Sequence, residues 1–397
     1  MRKNKNWAAQ LKTITKLFRL PRSSGLGGLN GLSKVIMPFK HVVKKRPKKL
    51  PAFKLPNISA LDISKPISDL IDATKLKVPA TWPYSQTALD DIVNKAGAAG
   101  QFLTRSYVKQ IPSHTYKIFI PGNTDGKDLP LLIMLHGCTQ NPDDFAAGTA
   151  MNEIAEEQKF IVAYPAQTQA ANAQKCWNWF RTSDQLRGQG EPSIIAGITE
   201  EIIHDYPVDT TRVYIAGLSA GGAMAVTVAT LYPDIYAAVG VHSGLPYASA
   251  NNIPSALSAM RQGSYRAKYQ QVEESIQTTI PIIVFHGDKD RTVNANNGDH
   301  LIKQNIAAQD VEIDPESPQN ISIQTGKTHG GYTYSTTCYH DSEGHSIAEH
   351  WVIHEAGHAW SGGNPAGSYT DPKGPDASRE MLRFFLSHQS CQPRNGG

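Results

Sequence analysis

From about residue 100 onward the chain alternates short apolar runs with stretches of helical spacing. That alternation predicts a mostly parallel sheet covered by helices on both faces. The candidate buried strands are Tyr116 to Ile120, Leu131 to His136, Phe160 to Tyr164, Arg212 to Ala216, Ala237 to His242, Ile280 to His286 and His350 to His354. Between them, residues 143–158, 193–206 and 219–232 carry helical spacing, the last through Ala225, Val228, Ala229 and Leu231. The beginning of the chain reads differently. Trp7, Leu11, Ile14, Leu17 and Phe18 recur at spacings of three and four among Lys5, Lys12, Lys16 and Arg19, the pattern of a short basic amphipathic helix. Gly and Ser then crowd residues 23–33, and Pro, Lys and Arg crowd residues 38–56, which is linker composition. The expected organisation is a basic, largely disordered arm over 1–60, a lead-in over 61–99 and one α/β domain over 100–390.

Charge sharpens this division. The net charge of the 397 residues is +4, yet fifteen of the 39 Lys and Arg precede Asp62, the first acidic residue, leaving 24 against all 35 Asp and Glu. A basic arm attached to an acidic globule is a different object from a uniformly basic protein. The arm suits an anionic surface, a membrane face or a hydrophobic polymer, with a solvated tail as the plain alternative. Its lysine clusters lack the motif of any dedicated nucleic-acid domain. No run of about eighteen apolar residues suggests a membrane span. Lys12, Lys16 and Arg19 interrupt any signal-peptide core, so export by a standard signal is unsupported and the cytoplasm stands as the alternative compartment. The four cysteines, Cys138, Cys176, Cys338 and Cys391, fit an oxidising compartment as well as they fit free thiols.

The chemistry is most legible at Arg212-Val213-Tyr214-Ile215-Ala216, which runs directly into Gly217-Leu218-Ser219-Ala220-Gly221-Gly222 and an alanine-rich helical stretch. Strand, G-x-S-x-G and helix in that order form a nucleophile elbow, the signature turn of the α/β-hydrolase fold. Ser219 is the expected nucleophile, at a helix N-terminus that favours developing negative charge. A serine needs a general base held by a carboxylate, in the chain order Ser, acid, His. The strand Ile282 to His286 opens into Gly287-Asp288-Lys289-Asp290, so the acid is Asp288 or Asp290, and position favours neither. The base is His358, with His354 and His350 as alternatives. For the oxyanion hole the expected donors are the amides of Ala220 and of Cys138, the latter in the loop His136-Gly137-Cys138-Thr139-Gln140 after an early strand. No cofactor and no metal are called for.

Together, His136-Gly137-Cys138-Thr139-Gln140-Asn141, Cys176-Trp177-Asn178-Trp179-Phe180, Gly188-Gln189-Gly190-Glu191-Pro192 and Gly217 to Met224 resemble the polyhydroxybutyrate depolymerase family of esterases. His286-Gly287-Asp288-Lys289-Asp290-Arg291-Thr292-Val293 and Gly357 to Gly363 look like that family's acid and histidine motifs. The resemblance implies an α/β-hydrolase fold, a triad of Ser219, Asp290 and His358, and hydrolysis of polyester bonds. Feruloyl, acetyl or general short-chain esters are the alternative. It also implies a Cys138–Cys176 pairing, with Cys338 and Cys391 left as a second pair, and extracellular action. Trp177, Trp179 and Trp360 are candidates for an aromatic wall that holds an acyl chain, with packing as the equal alternative. Glu191 reads as a loop-organising acceptor.

One rival comes from another class. His354-Glu355-Ala356-Gly357-His358 matches the zinc-protease pattern H-E-x-x-H, which works only on a helix that puts both histidines on one face. Here a strand-like Trp351-Val352-Ile353 precedes it and Gly357 weakens any helix.

Overall fold

The computed structural model describes residues 99–390 other than 110–112, 125, 264–279 and 310–318; the expected arm, the lead-in and Cys391 lie outside the described residues. The strands are β1 (Gln101–Tyr107), β2 (His114–Ile120), β3 (Leu129–Leu135), β4 (Ile161–Pro165), β5 (Val208–Leu218), β6 (Ala238–His242), β7 (Ile282–Gly287), β8 (Ile321–Lys327), β9 (Thr333–His340), β10 (Ser346–Ile353), β11 (Trp360–Ser361) and β12 (Thr370–Asp371). The helices are α1 (Pro142–Thr149), α2 (Met151–Gln158), α3 (Gly190–Asp205), α4 (Ala220–Leu231), α5 (Ile253–Gln262), α6 (Asn296–Ala308) and α7 (Ala377–Leu386).

Ten strands form one sheet in the order β1-β2-β4-β3-β5-β6-β7-β10-β9-β8, and β11 pairs with β12 separately. The six central strands from β4 to β10 run parallel. The two outer strands at each edge are antiparallel. The strand period of two divides the core between the faces. Leu131, Ile133 and Leu135 pack with Ile195, Ile198 and Ile202 of α3 and with α4 on one side. Leu132 and Met134 pack with Phe145 of α1, Ile154 of α2 and Phe384 and Phe385 of α7 on the other. Burial of both faces explains why the central strands are continuous apolar runs. This is the α/β-hydrolase arrangement.

The structure departs from the expected elements in several ways, adding α5, α6, α7 and the β11–β12 pair to those expected. The stretch 143–158 is two helices, because Ala150 adopts a left-handed φ of 51° between them. The terminal carbonyls of α1 accept instead from elsewhere, Gly148 from the Asn364 amide at 2.8 Å and Thr149 from the Ser378 hydroxyl at 2.7 Å. The edge strands β1, β8 and β9 were not expected, and they are the half-exposed ones. Among the described residues no helix is long and apolar enough to cross a membrane.

Parallel strands all end at one edge of the sheet, where ligands of open α/β sheets bind. The segments holding Cys138, Ser219, Asp290 and His358 follow the ends of β3, β5, β7 and β10 respectively.

Candidate active site

At the end of β5 the chain must reverse into α4 within a single turn. Ser219 takes up that strain with φ 58° and ψ −119°, a conformation that an ordinary residue adopts only when its surroundings force it. The two flanking glycines are required by contact. A side chain on Gly217 would run into the backbone of Gly221, and one on Gly221 into the Leu135 and His136 carbonyls. The Ser219 amide donates to the His242 carbonyl at 2.8 Å, which anchors the elbow to β6. Among the described residues no hydrogen bond occupies the Ser219 hydroxyl, and the residue is 8% exposed.

The two candidate acids separate cleanly. Asp290 Oδ2 lies 2.6 Å from His358 Nδ1, and Asp290 Oδ1 accepts the Thr292 and Val293 amides at 2.8 and 2.9 Å. His286 Nε2 is 3.5 Å from the same carboxylate. Burial opposes the Asp290 charge, but His358 and His286 outweigh it and hold the carboxyl far below its usual range. Because an ionised carboxylate only accepts, Nδ1 of His358 is the donor in this bond, and Nε2 is the nitrogen left outside it. Asp288 instead meets His354 Nδ1 at 3.1 Å and the Glu355 amide at 2.8 Å.

His354 spends its other nitrogen on Ser335 Oγ at 2.9 Å. His350 is buried, 3.5 Å from Asp299. His354 thus has both nitrogens engaged, and His350, whose Nε2 lies against Gly298, is paired with Asp299 rather than with either candidate acid. The zinc pattern also loses its geometry: β10 ends at Ile353, residues 354–358 are not helical, and the two histidines face different aspartates.

Beyond β3, His136 donates from Nδ1 to the Gly137 carbonyl at 2.8 Å and accepts the Gln167 amide at Nε2 at 3.2 Å. Burial lowers its pKa to about 4, so the ring is a neutral brace. Cys138 is bonded to Cys176, across 38 positions, while Cys338 is a free thiol on β9. Glu191, buried, accepts from Gln167 Nε2 at 2.6 Å and from the amide and Nδ2 of Asn178 at 2.6 and 2.5 Å. It thus ties the segment after Cys176 to α3. Burial, with Asp184 nearby, raises its pKa to about 7 against the pull of those donors. The Cys138 and Ala220 amides make no hydrogen bond among the described residues.

The three tryptophans expected to line a wall are all buried: Trp177 at 3%, Trp179 at 5% and Trp360 at 1% exposure. Trp177 donates to the His136 carbonyl at 3.1 Å. Trp360 donates to Ser378 at 3.0 Å and stacks on His242. They pack the loops around the site and present no open face to an acyl chain.

Two residues that sequence reasoning did not place in a role emerge here. His242, fully buried between Phe285 and Trp360, accepts the Ser361 amide at Nε2 at 3.0 Å. Its carbonyl holds the Ser219 amide, so a single residue links the elbow to the segment that follows His358. Its only signal in the sequence was its place at the end of a core strand. The second is Tyr369, whose hydroxyl lies 3.1 Å from Thr139 Oγ1.

Known proteins similar to this chain include esterases. Residues 114–316 match the family model described as esterase PHB depolymerase, a span that includes Ser219 and Asp290 and ends before His358. The chain is 29% identical over 290 residues to poly(3-hydroxyalkanoate) depolymerase C of Paucimonas lemoignei, covering 71% of this chain and 64% of that protein. It is 28% identical over 200 residues to probable acetylxylan esterase A of Aspergillus fumigatus, covering 47% and 53%. The chain thus spans less than two thirds of either relative. In fold it is similar to the acetyl xylan esterase from Aspergillus awamori, with a TM-score of 0.56, 18% identity, and coverage of 73% of this chain and 99% of that one. The family match extends over half the chain, and the protein belongs to the esterase PHB depolymerase family.

Proposed function

We propose that this protein hydrolyses carboxylic esters through Ser219, His358 and Asp290, and that polyhydroxybutyrate-type polyesters or their oligomers are its substrates. The observation that carries the reading is the 2.6 Å Asp290–His358 pair, which leaves Nε2 of the imidazole open, following strand ends of the same sheet edge as the strained Ser219 elbow. In the first step Nε2 of His358 takes the Ser219 proton as Oγ attacks the ester carbonyl. The carbonyl oxygen becomes an oxyanion held by the Cys138 and Ala220 amides. Collapse expels the alcohol, which leaves with the proton from His358, and an acyl-serine remains. Water then attacks that acyl group with the same proton transfers and frees the acid. Asp290 keeps the imidazole in the required tautomer and stabilises its cation.

Polyester as substrate is supported by the relative from Paucimonas lemoignei, which is named a poly(3-hydroxyalkanoate) depolymerase. A second reading, an acetyl or feruloyl esterase, is supported by relatives named acetylxylan esterase A and feruloyl esterase B. Both share the chemistry and differ in what flanks the ester. Purified protein is tested on polyhydroxybutyrate film, p-nitrophenyl acetate and methyl ferulate. The expected result is film clearance, with Ser219→Ala lowering kcat on the aryl ester by roughly 10⁶-fold. A serine-directed phosphonate inactivates the wild type, whereas a chelator leaves its rate unchanged. Full activity in Ser219→Ala, or loss of activity to the chelator alone, overturns the mechanism. Cleavage of methyl ferulate with the film intact favours the second reading.

A further inference from the structure

The chain of an ester held at Ser219 needs a surface to lie on, and the three tryptophans are buried. Among the described residues, the one aromatic in the set of exposed large hydrophobic side chains is Tyr369, at 47%. Its position is tied to the site from two sides. Its hydroxyl lies 3.1 Å from Oγ1 of Thr139, the residue after the Cys138 amide. Its carbonyl accepts the Trp360 amide at 2.7 Å, two residues beyond His358. Tyr369 therefore stands where the oxyanion loop and the base-bearing loop meet.

The backbone there is strained as well, with φ 52° at a bulky aromatic residue, a left-handed conformation that L side chains avoid. It persists because its neighbour is clamped. The Ser368 amide donates to Asp144 Oδ1 at 2.9 Å, and its hydroxyl to Oδ2 at 2.5 Å. Gln140 Nε2 donates to the Ser368 carbonyl at 3.0 Å while Gln140 Oε1 accepts the Gly137 amide at 2.9 Å. Strain that the surroundings over-determine is typical of functional positions. A tyrosine serving only to pack would be covered, and this one is not.

We infer that Tyr369 is a substrate-contacting residue that sets preference for longer ester chains, its ring forming the rim surface against which an aliphatic or oligo(hydroxyacyl) chain lies. With the hydroxyl directed to Thr139, the ring is what remains for the ligand, and an apolar ring face matches a weakly polar chain. A fixed ring with two rotatable bonds gives this contact at small entropic cost. The inference rests on the serine-esterase reading.

The test compares kcat/KM on p-nitrophenyl acetate and p-nitrophenyl hexanoate for the wild type, Tyr369→Asn and Tyr369→Phe, with Ser219→Ala as control. Asparagine tolerates the left-handed backbone, so Tyr369→Asn removes the ring without adding strain. Tyr369→Phe removes only the Thr139 hydrogen bond. The expected result is a roughly tenfold fall for the hexanoate in Tyr369→Asn, carried mainly by KM, with the acetate within about twofold and Tyr369→Phe close to wild type on both. Equal loss on both esters, matched by Tyr369→Phe, would mean that Tyr369 only braces the oxyanion loop, and an unchanged ratio would mean that it does not touch the chain. Either result overturns the inference while leaving the esterase reading standing. Absence of wild-type hydrolysis of both esters, or full activity in Ser219→Ala, overturns the esterase reading itself.

Discussion

Two aspartates two positions apart, Asp288 and Asp290, face two histidines four positions apart, His354 and His358, and each acid takes one of them. The environments differ in ways that matter for rate. Asp290 has a side chain with 0% exposure and accepts two backbone amides, so its charge is fixed in place, whereas Asp288 retains 29% side-chain exposure and serves to close the turn after β10. Asp290→Asn is expected to lower kcat on p-nitrophenyl acetate by roughly 10⁴-fold, since an amide no longer enforces the imidazole tautomer. Asp288→Asn is expected to keep kcat within a few fold and to lower stability by about 1–3 kcal/mol, because His354 and the Glu355 amide lose their charged acceptor. Steady-state rates and urea unfolding of the two variants check this, and the reverse ranking would contradict the assignment of Asp290.

At the scale of elements, the site depends on loops held by side chains rather than by secondary structure. The loop after β3 is joined to Cys176 by the disulfide and to the segment before β12 through Gln140, Asp144 and Ser368. The His358 segment is joined to β6 through His242. Replacing Cys176 with Ser frees the bond across 38 positions, and chain entropy alone then predicts a loss of up to about 4 kcal/mol. It also frees the Cys138 amide to wander from the oxyanion position. The expected signature is a lowered unfolding midpoint together with a kcat that falls more than KM rises. An unchanged kcat in a folded Cys176→Ser protein would show that the hydrogen bonds alone hold this loop.

The molecule as a whole stores its pH sensitivity in its interior. His136, His242 and His350 are buried, and burial lowers their pKa to about 4, 3 and 4, below the ordinary value of 6.5. The unfolded chain then binds more protons than the folded one between those values, so the stability these rings contribute is complete above pH 6.5 and is lost as pH falls toward 4 and 3. Glu191, raised to about 7, holds one proton in the folded state that opposes these three, so the net slope is up to about 3 kcal/mol per pH unit. Denaturant midpoints measured from pH 7 down to pH 4 are expected to fall across that window, before most carboxylates titrate. A flat profile down to pH 4 would contradict the buried neutral state of these rings.

The sequence by itself determined the class of the molecule and the strand-turn-helix that carries its proposed nucleophile, Ser219. Strands such as Leu129–Leu135 and Ile282–Gly287 are buried on both faces, so nearly every position is apolar, with His286 the polar exception, and the runs were legible. Gly217 and Gly221 were legible because backbone lies where their side chains would stand. The edge strands β8 and β9 were not, since residues exposed on one side carry no continuous apolar signal. The partner of each histidine was likewise a tertiary matter. The Asp288 amide donates to the Ile353 carbonyl and the Lys289 amide to Ala356, and this pairing of the two loops after β7 and β10 sends Asp290 to His358. Local composition was the same for both acids, and family resemblance alone had distinguished them. The fate of the tryptophans and of Tyr369 was decided in the same way. An aromatic residue type is compatible with both core and rim, and only the packing of distant loops determines which ring water can reach.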